Sequence, residues 1–243
     1  MKLSGKTALV TGGATGIGLG VAVALAGEGC RVAIAGRRED KLREAAASFR
    51  GKPPLAVHAA DVGDLASVEQ LVAWAQRELG PLDILVNSAG VNVVRRSLAE
   101  LSPDDWETMM RINATGAFYC TRAVLPQMRE RRGGLIVNIS SIAGKRSSTL
   151  GGIGYTASKF AMTALGVTAG REEAQYGIRV TNIYPGEVDT PILEHRPTPV
   201  SAEHRARILK PEDIAAAVVM VACLPARAHV PELVMKPTSQ DYF

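Results

Sequence analysis

Short runs of β-branched and aliphatic residues alternate with longer helical patterns along this chain, and that alternation constrains the fold more than any single motif. The runs are TALVTG (7–12), RVAIAG (31–36), LAVHAAD (55–61), DILVNSAG (83–90), LIVNISS (135–141), RVTNIYPG (179–186) and a last short ELVMKP. Between them lie stretches of helical spacing, among them IGLGVAVALAGEG (17–29) and LASVEQLVAWAQRELG (65–80). A final helix, PEDIAAAVVMVACL, starts near Pro211 with proline in its first turn and acids beside it. Strands so nearly continuous in apolar residues need cover on both faces, as in a parallel sheet packed between helices. The expected architecture is α/β: a doubly wound parallel sheet with right-handed crossovers. No linker or internal repeat divides residues 1–243, which read as one domain. The proline-rich polar stretch TPILEHRPTPVSAEHRARILKP (190–211) interrupts the fold late and reads as a mobile lid.

Several functions are disfavoured by composition. The net charge of +4 is spread along the chain. Its clusters, Arg37-Arg38, Arg95-Arg96 and Arg129 to Arg132, are short and punctuated by acids, so they read as solvated surface rather than a nucleic-acid face. Cys30, Cys120 and Cys223 are odd in number, far apart and set among apolar residues, as reduced core cysteines are. Histidines at 58, 195, 204 and 229 lack ligand spacing, so no metal is expected. The N-terminus enters a strand pattern directly, without a signal peptide, and no apolar run is long enough to span a bilayer. A cytoplasmic protein without membrane partners is expected.

After the first strand, TGGATGIG places Gly12, Gly16 and Gly18 where the chain turns into a helix. Glycines permit unusual backbone angles and close approach to a pyrophosphate, while the helix start offers unpaired N–H groups. A tight turn with no ligand is the plainer alternative. The second strand ends Gly36-Arg37-Arg38, with no carboxylate to meet ribose hydroxyls and two guanidiniums suited to a 2′-phosphate. That favours NADP over NAD. Asp61, ending the third run, either accepts from the adenine amine or caps the helix after it.

Tyr155 and Lys159 in YTASK lie four residues apart and share one helix face. An ammonium beside a phenol favours phenolate and should lower its pKa, suiting proton exchange with an alcohol or carbonyl as hydride moves. Ser141 ends the LIVNISS strand, at the sheet edge where ligands of open α/β folds bind, and its hydroxyl is placed to hold the reacting oxygen. Asn113, a poor interior helix former, is read as holding a water with its side chain. A proton route then runs from Tyr155 through the ribose and Lys159 to that water.

These motifs, with DV at 61–62, NSAG at 87–90 and YPGEVDTP at 184–191, resemble the short-chain dehydrogenase/reductase family of the single-domain type, over residues 7 to about 221. The resemblance implies a Rossmann-type fold and a catalytic tetrad of Asn113, Ser141, Tyr155 and Lys159. It implies cofactor contacts from Gly12, Thr15, Gly16, Ile17, Gly18, Arg37, Arg38, Asp61, Val62, Asn87, Ala89, Gly90, Tyr155, Lys159, Pro185, Gly186, Val188 and Thr190. Of two adjacent serines, Ser141 stands three residues before Gly144 as the family motif asks, which leaves Ser140 pointing to the other face. Ser88 replaces a common second asparagine. A glycine-rich C-terminal motif is missing, and the ending ELVMKPTSQDYF resembles a subgroup with hydroxy-acid dehydrogenases acting on serine or threonine analogues.

The expected function is NADP-linked hydride transfer to or from a small carbonyl or secondary alcohol, a hydroxy acid or a general ketone. Alternatives are a 3-oxoacyl-carrier-protein-type reductase and a catalytically silent NADP-binding regulator. In the 190–211 stretch, His195, Arg196, His204, Arg205 and Arg207 offer cations to an acidic substrate, against the plainer reading of a solvated polar lid, while Glu187 would repel an anion. The resemblance further implies a homotetramer or homodimer, and the tail Asp241-Tyr242-Phe243 either reaches a neighbouring subunit or frays.

Overall fold

The computed structural model describes residues 1–241, so Tyr242 and Phe243 of the tail lie outside the described residues. The elements in chain order are β1 (Thr7–Thr11), α1 (Gly16–Gly27), β2 (Arg31–Gly36), α2 (Glu39–Ser48), β3 (Ala56–Ala59), α3 (Leu65–Leu79) and β4 (Ile84–Asn87). Then come α4 (Pro103–Met109), a π-helical segment (Met110–Thr115), α5 (Gly116–Glu130), β5 (Gly134–Ile139) and α6 (Ile153–Glu173). The chain closes with β6 (Ile178–Pro185), α7 (Ala202–Arg207), α8 (Pro211–Ala222) and β7 (Glu232–Met235). Among the described residues the strands form one seven-stranded sheet in the order β3-β2-β1-β4-β5-β6-β7, every pairing parallel. No helix among them is long and apolar enough to cross a membrane.

The period of two along each strand sorts its side chains into two cores. Val10, Ile34, Val86 and Val137 face one way and pack on α1, α2 and α8; Leu9, Ala33, Leu85 and Ile136 face the other and pack on α3 and α5. Each fully buried aliphatic side chain contributes about 1.5–3 kcal/mol, so the two layers explain why these runs are apolar throughout. Local signals set the helix ends. Asp64 accepts from Ala66 N at 3.3 Å to start α3, Ser102 accepts from Asp105 N at 3.1 Å to start α4, and Asp213 accepts from Lys210 N at 2.7 Å at the head of α8. Strands β3 and β4 are shorter than the runs 55–61 and 83–90, because the residues that follow leave the ladder and become loops at the carboxyl edge.

Three asparagines in register cross the sheet beneath that edge. Asn87 donates to Asn138 at 2.9 Å and Asn138 donates to Asn182 at 3.0 Å, all three at most 2% exposed. Gly166 of α6 presses on this ladder: a Cβ there would stand 2.0 Å from Asn182 Oδ1 and 2.6 Å from Asn138 Nδ2. Replacing Gly166 by Ala should therefore displace α6 from the sheet and cost about 3 kcal/mol. That corresponds to a fall in Tm of roughly 6–12 °C by calorimetry; an unchanged Tm would mean that the helix yields without strain.

Candidate active site

The order of strands reverses between β1 and β4, and their carboxyl ends diverge there into a cleft. Both walls of the cleft approach at backbone distance. A Cβ on Gly12 (φ +65°) would lie 2.8 Å from the Ala89 main chain, and one on Gly18 would lie 2.3 Å from the Gly12 carbonyl oxygen. Gly16 also sits at positive φ, +55°. Thr15 precedes α1 without a side-chain cap bond, which leaves the first N–H groups of the helix open to the cleft. The cavity that results holds about 710 Å³ and runs from Arg37 and Arg38 to the start of α6. Thr15, Gly16, Ile17, Gly18, Ser88, Ala89 and Gly90 line its middle.

At one end Arg37 and Arg38 are exposed, and among the described residues neither guanidinium has a hydrogen-bond or ion-pair partner. Asp61 lines the same end, accepting from Gly63 N at 2.9 Å and facing Arg111 at 3.3 Å. The capping role left open for Asp61 falls to Asp64 instead. Val62 also lines the cavity, its side chain filling the space that the absent Cβ of Gly116 leaves.

At the other end Ser141, Tyr155 and Lys159 converge. Ser141 follows β5; its Oγ accepts from Ala143 N at 3.1 Å and hydrogen-bonds the Tyr155 phenol. Ser140, at 4% exposure, donates to the Lys159 carbonyl at 3.2 Å and is thereby tied into α6. Lys159, also 4% exposed, donates Nζ to the Ile139 carbonyl at 2.8 Å and stands 5.6 Å from the centroid of the Tyr155 ring.

The electrostatics differ from the expected ammonium-lowered phenol. Burial pushes the Tyr155 phenol up, against the pull of the Ser141 hydrogen bond and the Arg96 charge. Burial also holds Lys159 down at about 8. A desolvated ammonium beside a carbonyl and the Met162 sulfur holds its proton less tightly, and it does not offset the burial of the phenol.

Two predicted site residues stand behind the cavity wall. Asn87 belongs to the amide ladder, and Asn113 is fully buried on the π-helical segment. Asn113 does not hold its side chain free for a water: Oδ1 accepts from Val91 N at 2.8 Å, and Nδ2 donates to Val91 O and to Ser158 Oγ, both at 2.9 Å. It staples the loop after β4 to α6. A Cβ on Gly90 would be 3.6 Å from both Asn113 Oδ1 and Lys159 Nζ, so the two still flank one point.

The remaining wall comes from Pro185, Gly186, Val188 and Thr190, and the 190–211 stretch folds over it. Apart from His195, the basic side chains of that stretch are already engaged. Glu187 meets Arg196 at 2.9 Å and His204 at 2.7 Å, Asp189 meets Arg205 and Lys210 at 2.8 Å each, and Arg207 pairs with Glu203. These pairs occupy Arg196, His204, Arg205 and Arg207 and offset the repulsion expected of Glu187, whose carboxyl, though burial pushes it up, is held below its usual range by His204 and Arg196.

Two residues that the sequence did not single out also line the cavity. Gln240 accepts from Glu187 N at 2.9 Å. Arg96, read as solvated surface beside Arg95, is only 7% exposed and lies next to Tyr155. No spacing in the sequence distinguishes Arg96 from its exposed neighbour.

A family model described as short chain dehydrogenase matches residues 6–200. An uncharacterized oxidoreductase of Staphylococcus aureus (strain MRSA252) is 36% identical over 239 residues, spanning 97% of this chain and 98% of that protein. The closed form of a serine dehydrogenase complexed with NADP+ superposes with a TM-score of 0.88 at 33% identity, covering 97% of this chain and 96% of that one. A 3-ketoacyl-(acyl-carrier-protein) reductase from Brucella melitensis complexed with NADH gives 0.87 at 28% identity, covering 96% and 98%.

The state of Lys159 has a measurable consequence. Its pKa is about 8 in the fold against 10.5 ordinarily, so the unfolded chain binds a proton between those values that the folded protein does not. The penalty of the buried ammonium is complete below about pH 8 and fades as pH rises toward 10.5. A Lys159→Met variant should be more stable than wild type at pH 7 by about 3 kcal/mol, and the gap should narrow by pH 10. Urea denaturation at both pH values measures it; a gap that does not change with pH would contradict the assignment.

Proposed function

The chain belongs to the short-chain dehydrogenase family, and from that membership we propose that it is an NADP-dependent oxidoreductase acting on a carbonyl or secondary alcohol of a small substrate. One observation carries the reading: Tyr155, Ser141 and Lys159 line the same cavity as a glycine turn too tight for side chains and two unpartnered guanidiniums. The Gly12 and Gly18 cradle suits a pyrophosphate, and Arg37 and Arg38 suit a 2′-phosphate that NAD lacks. The bound nicotinamide would supply or accept the hydride. Tyr155 Oη would give its proton to the carbonyl oxygen, or take one from the alcohol, while the Ser141 hydroxyl holds that oxygen. Lys159, one turn further along α6, would orient the ribose hydroxyls, and its depressed pKa would rise beside the cofactor's anionic groups. Asn113 would act at one remove, keeping the loop after β4 against α6.

Reduction of a 3-oxoacyl thioester is the alternative within the same chemistry, favoured by the likeness to the Brucella protein. A silent nucleotide-binding regulator fits poorly, because all four tetrad positions are present. Phe118 on α5 and Phe160 on α6, 46% and 42% exposed, leave an apolar face that suits a homo-oligomer.

Tyr155→Phe should lower kcat by about 1000-fold or more, with NADPH affinity within about threefold of wild type by fluorescence titration. Full turnover in that variant would refute the assigned chemistry. The double variant Arg37→Ala, Arg38→Ala should raise the Kd for NADPH by roughly 10- to 100-fold and leave that for NADH unchanged; equal weakening of both would remove the 2′-phosphate reading.

A further inference from the structure

Arg96 is a cation buried at the reacting end of the cavity with no acid to match it. Nη1 donates to the Leu150 carbonyl at 3.0 Å and Nη2 donates to the His195 carbonyl, while Nε is buried without any partner. Among the described residues no carboxylate pairs with it; the titratable groups that act on it are another guanidinium, Arg196, and the phenol of Tyr155. Arg196 is itself neutralised by Glu187. A desolvated guanidinium in such surroundings is costly unless an anion joins it.

Its placement is built rather than incidental. The Arg96 carbonyl accepts from Ile153 N at the head of α6, two residues before Tyr155. The stem of Arg96 passes over Gly152, where φ is +77° and a Cβ would stand 2.6 Å from Arg96 Cβ. The same helix start therefore fixes both the phenol and the guanidinium. Arg96 lies at the opposite end of the cavity from Arg37 and Arg38, away from the glycine turn.

We propose that Arg96 is a specificity-determining residue that binds a carboxylate of the substrate while Tyr155 acts on its hydroxyl or carbonyl oxygen, so that the enzyme prefers hydroxy acids and oxo acids to neutral alcohols and ketones. The inference rests on the oxidoreductase reading above and narrows it to a substrate class. Arg196, His204, Arg205 and Lys210 of the lid do not compete for this role, since Glu187 and Asp189 hold them, and Arg207 is paired with Glu203. His195 is exposed, whereas Arg96 is buried. The carboxylate supplies the missing counter-charge, and loss of Arg96 would leave that anion without a partner in a desolvated site.

The test uses the intact enzyme with NADP and a panel of short 2- and 3-hydroxy acids, each beside its methyl ester. Wild type should favour the acid in kcat/KM. In Arg96→Gln the acid-to-ester ratio should fall by about 30- to 1000-fold, chiefly through the KM of the acid, with Arg96→Lys recovering part of it. Equal losses for acid and ester would make Arg96 a strap between the Leu150 and His195 loops and overturn the proposal, as would an unchanged ratio. A second measurement needs no variant: butyrate should inhibit wild type in competition with substrate at least tenfold more strongly than butyramide, and equal inhibition would also overturn it. Wild type that turns over acids and esters equally well sinks this inference alone, whereas no hydride exchange with any member of either set sinks the oxidoreductase reading itself.

Discussion

Main chain against main chain, with no room for a methyl group, holds the two halves of the sheet together where β1 and β4 end. The contact of Gly12 with Ala89, and of Gly18 with the Gly12 carbonyl, fixes how far apart the carboxyl ends of the strands can lie. Everything that lines the cavity hangs from those ends: the glycine turn from β1, the guanidiniums from β2, the 88–90 loop from β4 and Ser141 from β5. The helices are aimed by the same edge. Because α1 starts directly from the turn, its open N–H groups point into the cleft without help from any side chain.

Beneath this edge the structure invests in polar burial. The amide ladder on β4, β5 and β6 keeps three strands in register, and Gly166 lets α6 approach it closely. Since α6 carries Tyr155 and Lys159, the depth at which that helix sits determines how far both groups are desolvated. Burial explains why the phenol is pushed up and the ammonium down. Burial of this kind keeps the phenol protonated and makes the ammonium costly, and an anionic ligand would relieve that cost.

The parts legible in the sequence were those with a local period. Alternating apolar runs gave the sheet and its two cores, the glycines marked the turn, and the spacing of four put Tyr155 and Lys159 on one face of α6. Single-position features were less visible. The π-helical segment at Asn113 differs from an α-helix by its wider hydrogen-bond step, a change too small for hydrophobic periodicity to register. What charged residues do depends on partners remote in sequence. Arg96 bonds carbonyls 54 and 99 residues away, and Arg196, His204, Arg205 and Lys210 meet Glu187 and Asp189. A run of basic residues carries no information about such pairings, which is why Arg96 could not be told from its exposed neighbour Arg95.

The last described turn crosses the mouth of the site. Gln240 reaches Glu187 N, and Lys236 and Pro237 close over Gly186, so the C-terminal end of the chain forms part of the cavity wall. Anything that shifts this turn shifts the cavity wall with it, although Gln240 lies 53 residues beyond Glu187 in sequence.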